Sequence, residues 1–435
     1  MVTIGNRLTA GNLRPQSAQR TTAEDAENHC TPLCAFPGRP QPHGNLELEN
    51  EATVAFLELT SHFQGTIVHS RTSMNIVKAT SRYEDWLKSH TAVVEADLRL
   101  KHKRMAEAVF PFLRATFYRW VQIWPDVCPD ANKAPQILSV GDLHIENFGT
   151  WRDVEGRLIW GVNDFDEAAT FPYTNDLVRL ASSALLAITD SHLAASGKDA
   201  CAEILDGYTK SLTESGRPFV LEEGYKWLRL IALNELRDPD RFWTKMDTLP
   251  SVRGEISPIA REAVEHLMPD SHLQYRLARR VAGLGSLGHQ RFVAVAEFHG
   301  GRIAREAKML VPSSVYWAYD LPGPVELWYQ AVLSRAVRCP DPFVQLRGRW
   351  IVRRLSPHCS RIELAVLPKN RDECRLLFSM GWETANIHLG NRDAVREIRK
   401  HLKSQKPNWL YAAAREMVAA VNEDWQAWRK ARVDG

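Results

Sequence analysis

Apolar and polar residues follow two different periods along this chain, one typical of helices and one typical of strands. Between residues 81 and 125 apolar residues recur at a spacing of three to four, which predicts helix. Pro111 should break or kink this helix, because proline lacks a backbone N–H and clashes with the preceding turn. The same period predicts helix in 175–195, in most of 199–270 and from 371 to the end.

Strand patterns dominate after residue 281. The apolar positions of "RFVAVAEF" alternate, Gly300 and Gly301 follow, and "RIAREAKML" comes next, so this segment is predicted to form a β-hairpin. More strands are predicted in "FVQLRGRWIVRRLSP" and "RIELAVL".

Two short apolar runs, Ile137–Val140 and Leu158–Val162, are also predicted strands, and each leads into a polar segment. Helices and strands thus occur mostly in separate stretches, which indicates an α+β fold class. Residues 1–50 are rich in Thr, Asn, Pro, Gln and Gly and lack a clear period. Because order is expected to begin near residue 74, we expect a disordered extension at 1–73.

Composition narrows the class of protein. The formal net charge is +3, from 55 basic and 52 acidic side chains, which does not indicate a nucleic-acid partner. No apolar run reaches the roughly 18 residues of a membrane span, and the first residues lack a signal-peptide pattern. The seven cysteines are scattered without a CxxC pair, which favours reduced thiols. We therefore expect a cytoplasmic protein with neither membrane nor nucleic-acid partners; its oligomeric state is left open.

The polar segment "GDLHIEN", residues 141–147, follows the first of these strands. Asp142 precedes Asn147 by five positions, the spacing of a kinase catalytic loop, in which the Asp accepts a hydroxyl proton and the Asn holds a metal. The alternative is an ordinary Asp/Asn-rich turn whose side chains bond their own backbone.

A second polar segment, "VNDFDEA", ends the strand at 158–162. Asp164, Asp166 and Glu167 would repel one another unless a cation compensates their charge. A Mg²⁺ ion is one such cation. The alternative is a solvated loop balanced by Arg157 or Arg179.

The glycine-rich segment "GLGSLG", residues 283–288, precedes a strand and not a helix, which argues against a dinucleotide-binding fingerprint. It suits a kinase-type loop whose backbone amides approach ATP phosphates, with a lysine on a following strand. Lys308, 20 residues after Gly288, is the candidate lysine, and an exposed strand lysine is the alternative.

These segments together resemble phosphotransferases of the aminoglycoside and choline kinase type. The chain from about 74 to 435 more closely resembles the bacterial family catalogued as domain of unknown function 2252. The stretches that carry the resemblance are "FPFLRA", "GDLHIENFG", "NDFDEA", "DLVRLASS" and "GLGSLG".

The resemblance implies a two-lobed, protein-kinase-like fold, with ATP and Mg²⁺ as cofactors and an unidentified acceptor as substrate. It implies that Asp142 is the catalytic base, that His144 supplies an imidazole and that Asp176 braces the loop. The implied metal ligands are Asn147, Asp164 and Asp166, and the implied nucleotide-binding residues are Gly283, Gly285, Ser286, Gly288 and Lys308.

Two features depart from the kinase pattern. Val140 stands where many kinases carry histidine, and the catalytic motifs precede the glycine loop, so the chain resembles a circularly permuted kinase. The expected domains are a first catalytic part at 74–274, a β-rich nucleotide-binding lobe at 275–368 and C-terminal helices at 369–435. The glutamate that would pair with Lys308 is hard to place in this order, and Glu326 is the candidate.

The leading hypothesis is an ATP- and Mg²⁺-dependent phosphotransferase. Transfer of AMP and a non-catalytic nucleotide-binding protein are alternatives. A metal-dependent phosphoesterase is less favoured because the sequence contains neither GNH nor GHxH, the strings that supply ligands to two-metal sites.

Overall fold

The computed structural model describes residues 74–190, 192–232, 238–321, 326–359 and 372–433. These residues all fall in one compact unit that combines helices with antiparallel sheets, which confirms the α+β class. The predicted extension at 1–73 and the predicted strand "RIELAVL" lie outside the described residues.

Helices precede, separate and follow the strands along the described part of the chain. In chain order they are α1 (Ile76–His90), α2 (Glu95–Glu107), α3 (Val109–Ala115), α4 (Phe117–Val127), α5 (Tyr173–Thr189), α6 (Gly197–Glu214), α7 (Lys226–Ala232), α8 (Pro239–Asp247), α9 (Pro258–Glu265), α10 (Ser314–Tyr319), α11 (Tyr329–Arg335), α12 (Glu373–His388), α13 (Val395–Ser404) and α14 (Trp409–Val433). Across the described ranges, every helix is too short or too polar to cross a bilayer.

Several helices begin at a side chain that caps their first free N–H groups. Asn75 accepts a hydrogen bond from the Lys78 amide at the start of α1, and Ser196 accepts one from Asp199 in α6. Pro111 lies in the first turn of α3, where its missing N–H costs little. The predicted break therefore falls just before it, at the extended residue Ala108.

Within the described residues the strands form three antiparallel sheets. They are β1 (Gln136–Ser139), β2 (Phe148–Arg152), β3 (Leu158–Val162), β4 (Ala169–Pro172), β5 (Phe219–Val220), β6 (Tyr275–Arg279), β7 (Arg291–Phe298), β8 (Gly301–Met309), β9 (Gln345–Arg347) and β10 (Trp350–Leu355). β1 pairs with β4, β2 and β5 flank β3, and a five-stranded sheet has the order β6-β7-β8-β10-β9. The predicted hairpin is confirmed as β7 and β8, and the predicted strand Leu158–Val162 is confirmed as β3.

The two faces of the five-stranded sheet differ because successive side chains of a strand point in opposite directions. Ala307 lies on the face that packs against Ala260, Ala263 and Val264 of α9. Lys308 therefore lies on the opposite face, and this is the face from which it reaches the acidic segment after β3.

Candidate functional site

A cleft separates the glycine-rich loop between β6 and β7 from the polar segments that follow β1 and β3. The predicted site residues that line it are Asp142, His144, Asn147, Asp164, Asp166, Gly283, Gly285 and Ser286. Segments more than 100 residues apart in sequence therefore meet at one place.

Asp176, in the first turn of α5, holds the backbone of the loop after β1. Its two carboxylate oxygens accept hydrogen bonds from the amides of Val140, at 2.7 Å, and Gly141, at 3.0 Å. Asp176 is fully buried, so the loop is anchored in the protein interior. His144 caps the following short 3₁₀ helix, where its Nδ1 atom lies 3.2 Å from the Glu146 amide.

Gly141 allows the two polar segments to pack backbone against backbone. It has a positive φ of 83°, and a Cβ atom there would lie 2.2 Å from the carbonyl oxygen of Glu167. Glycine is required at this position on both grounds.

Asp142 forms an ion pair with Arg179, a fully buried residue of α5. The Arg179 Nε atom lies 2.7 Å from Asp142 Oδ1, and Arg179 also donates to the carbonyl oxygen of Leu113. Burial raises the pKa of Asp142, and the nearby guanidinium opposes this change. Asp142 thus faces the cleft as a carboxylate of increased basicity, one requirement for a proton acceptor.

Asn147 connects the two polar segments. Its Nδ2 atom donates to the backbone oxygens of Asp142, at 3.3 Å, and Asp164, at 3.0 Å. This geometry leaves the side-chain oxygen of Asn147 as the atom suited to a cation. The described residues contain no cluster of three or more His, Cys, Asp or Glu side chains suited to a metal, so a cation here would need other ligands as well.

Lys308 extends from β8 between the two aspartates. Its Nζ atom lies 3.3 Å from Asp164 Oδ1 and 2.5 Å from both carboxylate oxygens of Asp166, and the lysine is fully buried. Burial and the neighbouring Asp164 raise the pKa of Asp166 to about 6, although Lys308 opposes this. Arg353, which is partly buried, also interacts electrostatically with the same two carboxylates.

Glu326, the predicted partner of Lys308, precedes α11 and borders a small cavity that Asp166 also lines. The Lys308 ammonium contacts the carboxylates of Asp164 and Asp166. The helix that follows Glu326, α11, begins at Tyr329.

Glu167 ends the acidic segment and faces α10. Its Oε2 atom accepts hydrogen bonds from the amide of Ser314, at 2.7 Å, and from the hydroxyls of Ser313 and Ser314. Burial raises the pKa of Glu167 to about 7 in spite of these bonds. The cleft therefore contains a carboxyl group that titrates close to neutral pH.

The glycine loop closely approaches the polar segment 141–147. Gly283 and Gly288 have positive φ angles, and Ser286 accepts a hydrogen bond from Arg291 at 2.9 Å. A Cβ atom on Gly285 would lie 3.5 Å from Asp142 Oδ2. The remaining cavity is about 60 Å³, well below the roughly 300 Å³ of a small-molecule pocket.

A buried ion cluster fixes both ends of this loop. Arg280, before it, and Arg291, after it, form ion pairs with the fully buried Glu306 of β8, as does Arg353 of β10. Burial alone raises the pKa of Glu306, but the three guanidinium groups outweigh it and lower the pKa below its ordinary value.

Sequence reasoning missed two cleft residues. Lys101 of α2 belongs to the charged run "KHKR", which is typical of a solvated helix face, yet it is buried in the cleft. His289 is also buried, and burial together with Lys101 and Lys308 lowers its pKa to about 3. Arg114 of α3 also lines the cleft, and it forms an ion pair with Glu146 of the loop after β1.

Comparison with known proteins gives one match. Residues 93–242 match the family described as "Uncharacterized protein conserved in bacteria (DUF2252)". No curated protein and no solved structure matches the chain. The match covers about a third of the chain and includes the loop after β1, the acidic segment and Asp176, so the predicted resemblance to this bacterial family is supported in that part of the chain.

Proposed function

We propose that this chain is an ATP- and Mg²⁺-dependent phosphotransferase that acts on a hydroxyl group of a small molecule or protein. One observation carries the proposal: Asp142, Asn147 and Asp164 lie in the same cleft as the glycine loop, with Lys308 bound to Asp164. Phosphoryl transfer depends mainly on positioning and charge stabilisation, and this set supplies groups for both.

The sheet supports a kinase-like, circularly permuted arrangement. The glycine loop joins β6 to β7, and Lys308 lies on β8, the next strand in both sequence and space. In protein kinases a glycine-rich loop covers the phosphates and the lysine lies on the third strand. Here the strands follow the catalytic segment in sequence, the reverse of the usual order.

In this proposal Asp142 takes the proton from the substrate hydroxyl that receives the phosphoryl group. Asp176 fixes the backbone that carries it, and Arg179 fixes its carboxylate. His144 lines the same cleft as a positioning residue of the loop.

The acidic segment fits a divalent cation. After burial, the neighbouring Asp164 carboxylate is the next cause of the raised pKa of Asp166, so the two acids act on each other beside the Lys308 ammonium. Asp164, Asp166 and the side-chain oxygen of Asn147 would hold Mg²⁺, since it prefers oxygen ligands. Bound there, Mg²⁺ would supply positive charge to the phosphate oxygens.

The glycine loop fits phosphate groups through its backbone amides, and it has to move for a nucleotide to enter. The present cavity of about 60 Å³ is too small for one. Loops of this kind open and close over bound substrate in many enzymes.

Binding and transfer can be tested separately with wild type, Asp164→Asn, Lys308→Ala and Asp142→Asn. ATP binding is measured with and without Mg²⁺, and transfer is followed with ATP labelled at the α or the γ phosphorus. We expect metal-dependent binding in wild type, its loss in the Asp164 and Lys308 variants, and binding without transfer in Asp142→Asn. Movement of the α label to the acceptor would instead indicate AMP transfer. Failure of wild type to bind ATP would refute the proposal.

A further inference from the structure

Lys101 brings a positive charge into the cleft from outside the predicted motifs. It lies in α2, its side chain is only 4% exposed, and its Nζ atom donates to the carbonyl oxygen of Gly285 at 2.9 Å. A helix near the start of the described chain thus contacts the tip of the glycine loop directly.

This buried ammonium lacks a strong partner. The rings of Tyr83 and Tyr118 lie with their centroids 6.0 and 5.9 Å from its Nζ atom, which gives only weak cation–π attraction. Among the described residues no carboxylate forms an ion pair with it. Burial lowers the pKa of this ammonium, and Glu84, Glu167 and Asp142 oppose this only at longer range. A buried charge with one neutral acceptor is costly, so the site favours an additional anion.

The other cations around the cleft already have carboxylate partners. Arg179 pairs with Asp142, Arg114 with Glu146, and Lys308 with Asp166. Among the described cations of the cleft, Lys101 therefore has the charge that is least neutralised by carboxylates, and it is the best placed to bind an incoming anion.

The contact of Lys101 also marks the place where that anion would bind. Gly285 lies beside Asp142, and the Val94 amide donates to the carbonyl oxygen of Gly288 at 2.8 Å, so the start of α2 holds the loop against the catalytic segment. Lifting of the loop would free the Lys101 ammonium from the Gly285 carbonyl, in a cavity that Asp142 also lines.

We propose that Lys101 binds the terminal phosphate of the nucleotide, exchanging the Gly285 carbonyl for a phosphate oxygen. This inference rests on the proposed function and assigns a ligand to a residue outside the predicted motifs. Hydrogen bonds between ammonium groups and phosphate are stronger than those to a neutral carbonyl, so the exchange favours the open, loaded loop. Because ADP lacks this phosphate, Lys101 discriminates ATP from ADP.

The test compares the affinities of Mg²⁺ with ATP and with ADP, measured by calorimetry on the full chain. The variants are Lys101→Met, Lys101→Gln and Lys101→Arg, and Lys103→Met is the matched control because Lys103 is exposed on the same helix. We expect Lys101→Met and Lys101→Gln to bind ATP about tenfold more weakly and ADP within about twofold of wild type. Lys101→Arg should retain part of the preference for ATP, and Lys103→Met should behave as wild type.

Three outcomes would overturn the inference while leaving the proposed function intact. In the first, the Lys101 variants bind ATP and ADP more weakly by the same factor, and in the second, neither affinity changes. In the third, both nucleotides bind more tightly, which would mean that Lys101 only holds the loop closed. Wild type that binds neither nucleotide would overturn both proposals. Thermal unfolding of each variant shows whether it is folded, and Lys101→Gln or Lys101→Arg carries the test if Lys101→Met is not.

Discussion

The Nε2 atom of His388 lies 2.9 Å from the Oδ2 atom of Asp176, although 212 residues separate them in sequence. Both side chains are fully buried, and the other ring nitrogen of His388 lies 2.9 Å from the Tyr208 hydroxyl. Asp176 in turn accepts the amides of Val140 and Gly141. The end of α12 thereby holds the aspartate that fixes the proposed catalytic loop.

Replacement of Asp176 with Asn should destabilise the protein by roughly 2–4 kcal/mol. The Asn side chain has one oxygen that accepts and one nitrogen that only donates. One of the two backbone N–H groups of the loop therefore loses its acceptor. Urea unfolding measures the change. Asp190→Asn, at the exposed end of the same helix, is the control and should change stability by no more than about 0.5 kcal/mol. Equal effects at the two positions would contradict the anchoring role.

The crossing of α6 and α12 should tolerate no side chain at Gly381. A Cβ atom there would lie 1.9 Å from the carbonyl oxygen of Ile204, and a Cβ on Gly207 would lie 1.9 Å from that of Phe378. Alanine normally stabilises a helix relative to glycine, but here it forces two backbones apart. We expect Gly381→Ala to cost about 3 kcal/mol or more in the free energy of unfolding.

The control for this helix crossing is Gly301→Ala. A Cβ atom on Gly301 has as its nearest contact the carbonyl oxygen of Phe298, at 4.0 Å. Chemical denaturation should show a change of no more than about 1 kcal/mol for this variant. If the Gly381→Ala protein is as stable as wild type, the two helices can move apart without a loss in the free energy of unfolding.

Local sequence patterns predicted the elements whose side chains alternate or recur with a clear period. The hairpin around Gly300 and the strand Leu158–Val162 were predicted with close boundaries. β2 was missed because its residues are almost all buried, which removes the alternation of polar and apolar positions. β4 was missed because it has only four residues and exists through its pairing with β1.

The partners of the site residues were less accessible from sequence. The polar segments and the glycine loop were identified by residue type and spacing, but their contacts depend on the path of the whole chain. The Lys308–Asp166 bond joins positions 142 residues apart, and the Lys101–Gly285 bond joins positions 184 apart. No periodicity encodes such pairs, which is why Lys101 was overlooked and the contacts of Lys308 with Asp164 and Asp166 were not predicted.

Glu167 should make the stability of the protein depend on pH. Its pKa is raised from 4.5 to about 7 by burial, so between these values the folded protein binds more protons than the unfolded chain, and stability falls as pH rises. Glu167→Gln retains an oxygen for the Ser314 amide and does not titrate. The drop in unfolding free energy between pH 4.5 and 7.5 should therefore be smaller in the variant, by roughly 1–3 kcal/mol.

Urea unfolding at several pH values checks this expectation. Glu155→Gln, in an exposed turn, is the matched control and should keep the pH dependence of wild type. If Glu167→Gln and wild type lose the same stability over this range, the titration belongs to other groups.

Arg179→Lys should shift the pH dependence of the proposed phosphoryl transfer to higher pH. Burial raises the pKa of Asp142 and Arg179 opposes this, so a shorter cation with fewer bonds should raise that pKa further. Because Asp142 accepts a proton only when ionised, the acidic limb of the pH–rate profile should shift to higher pH by about one unit. Arg302→Lys, which alters an exposed ion pair with Asp247, should leave the limb in place. A slower Arg179→Lys enzyme with an unshifted limb would show that Arg179 supports the fold without tuning Asp142.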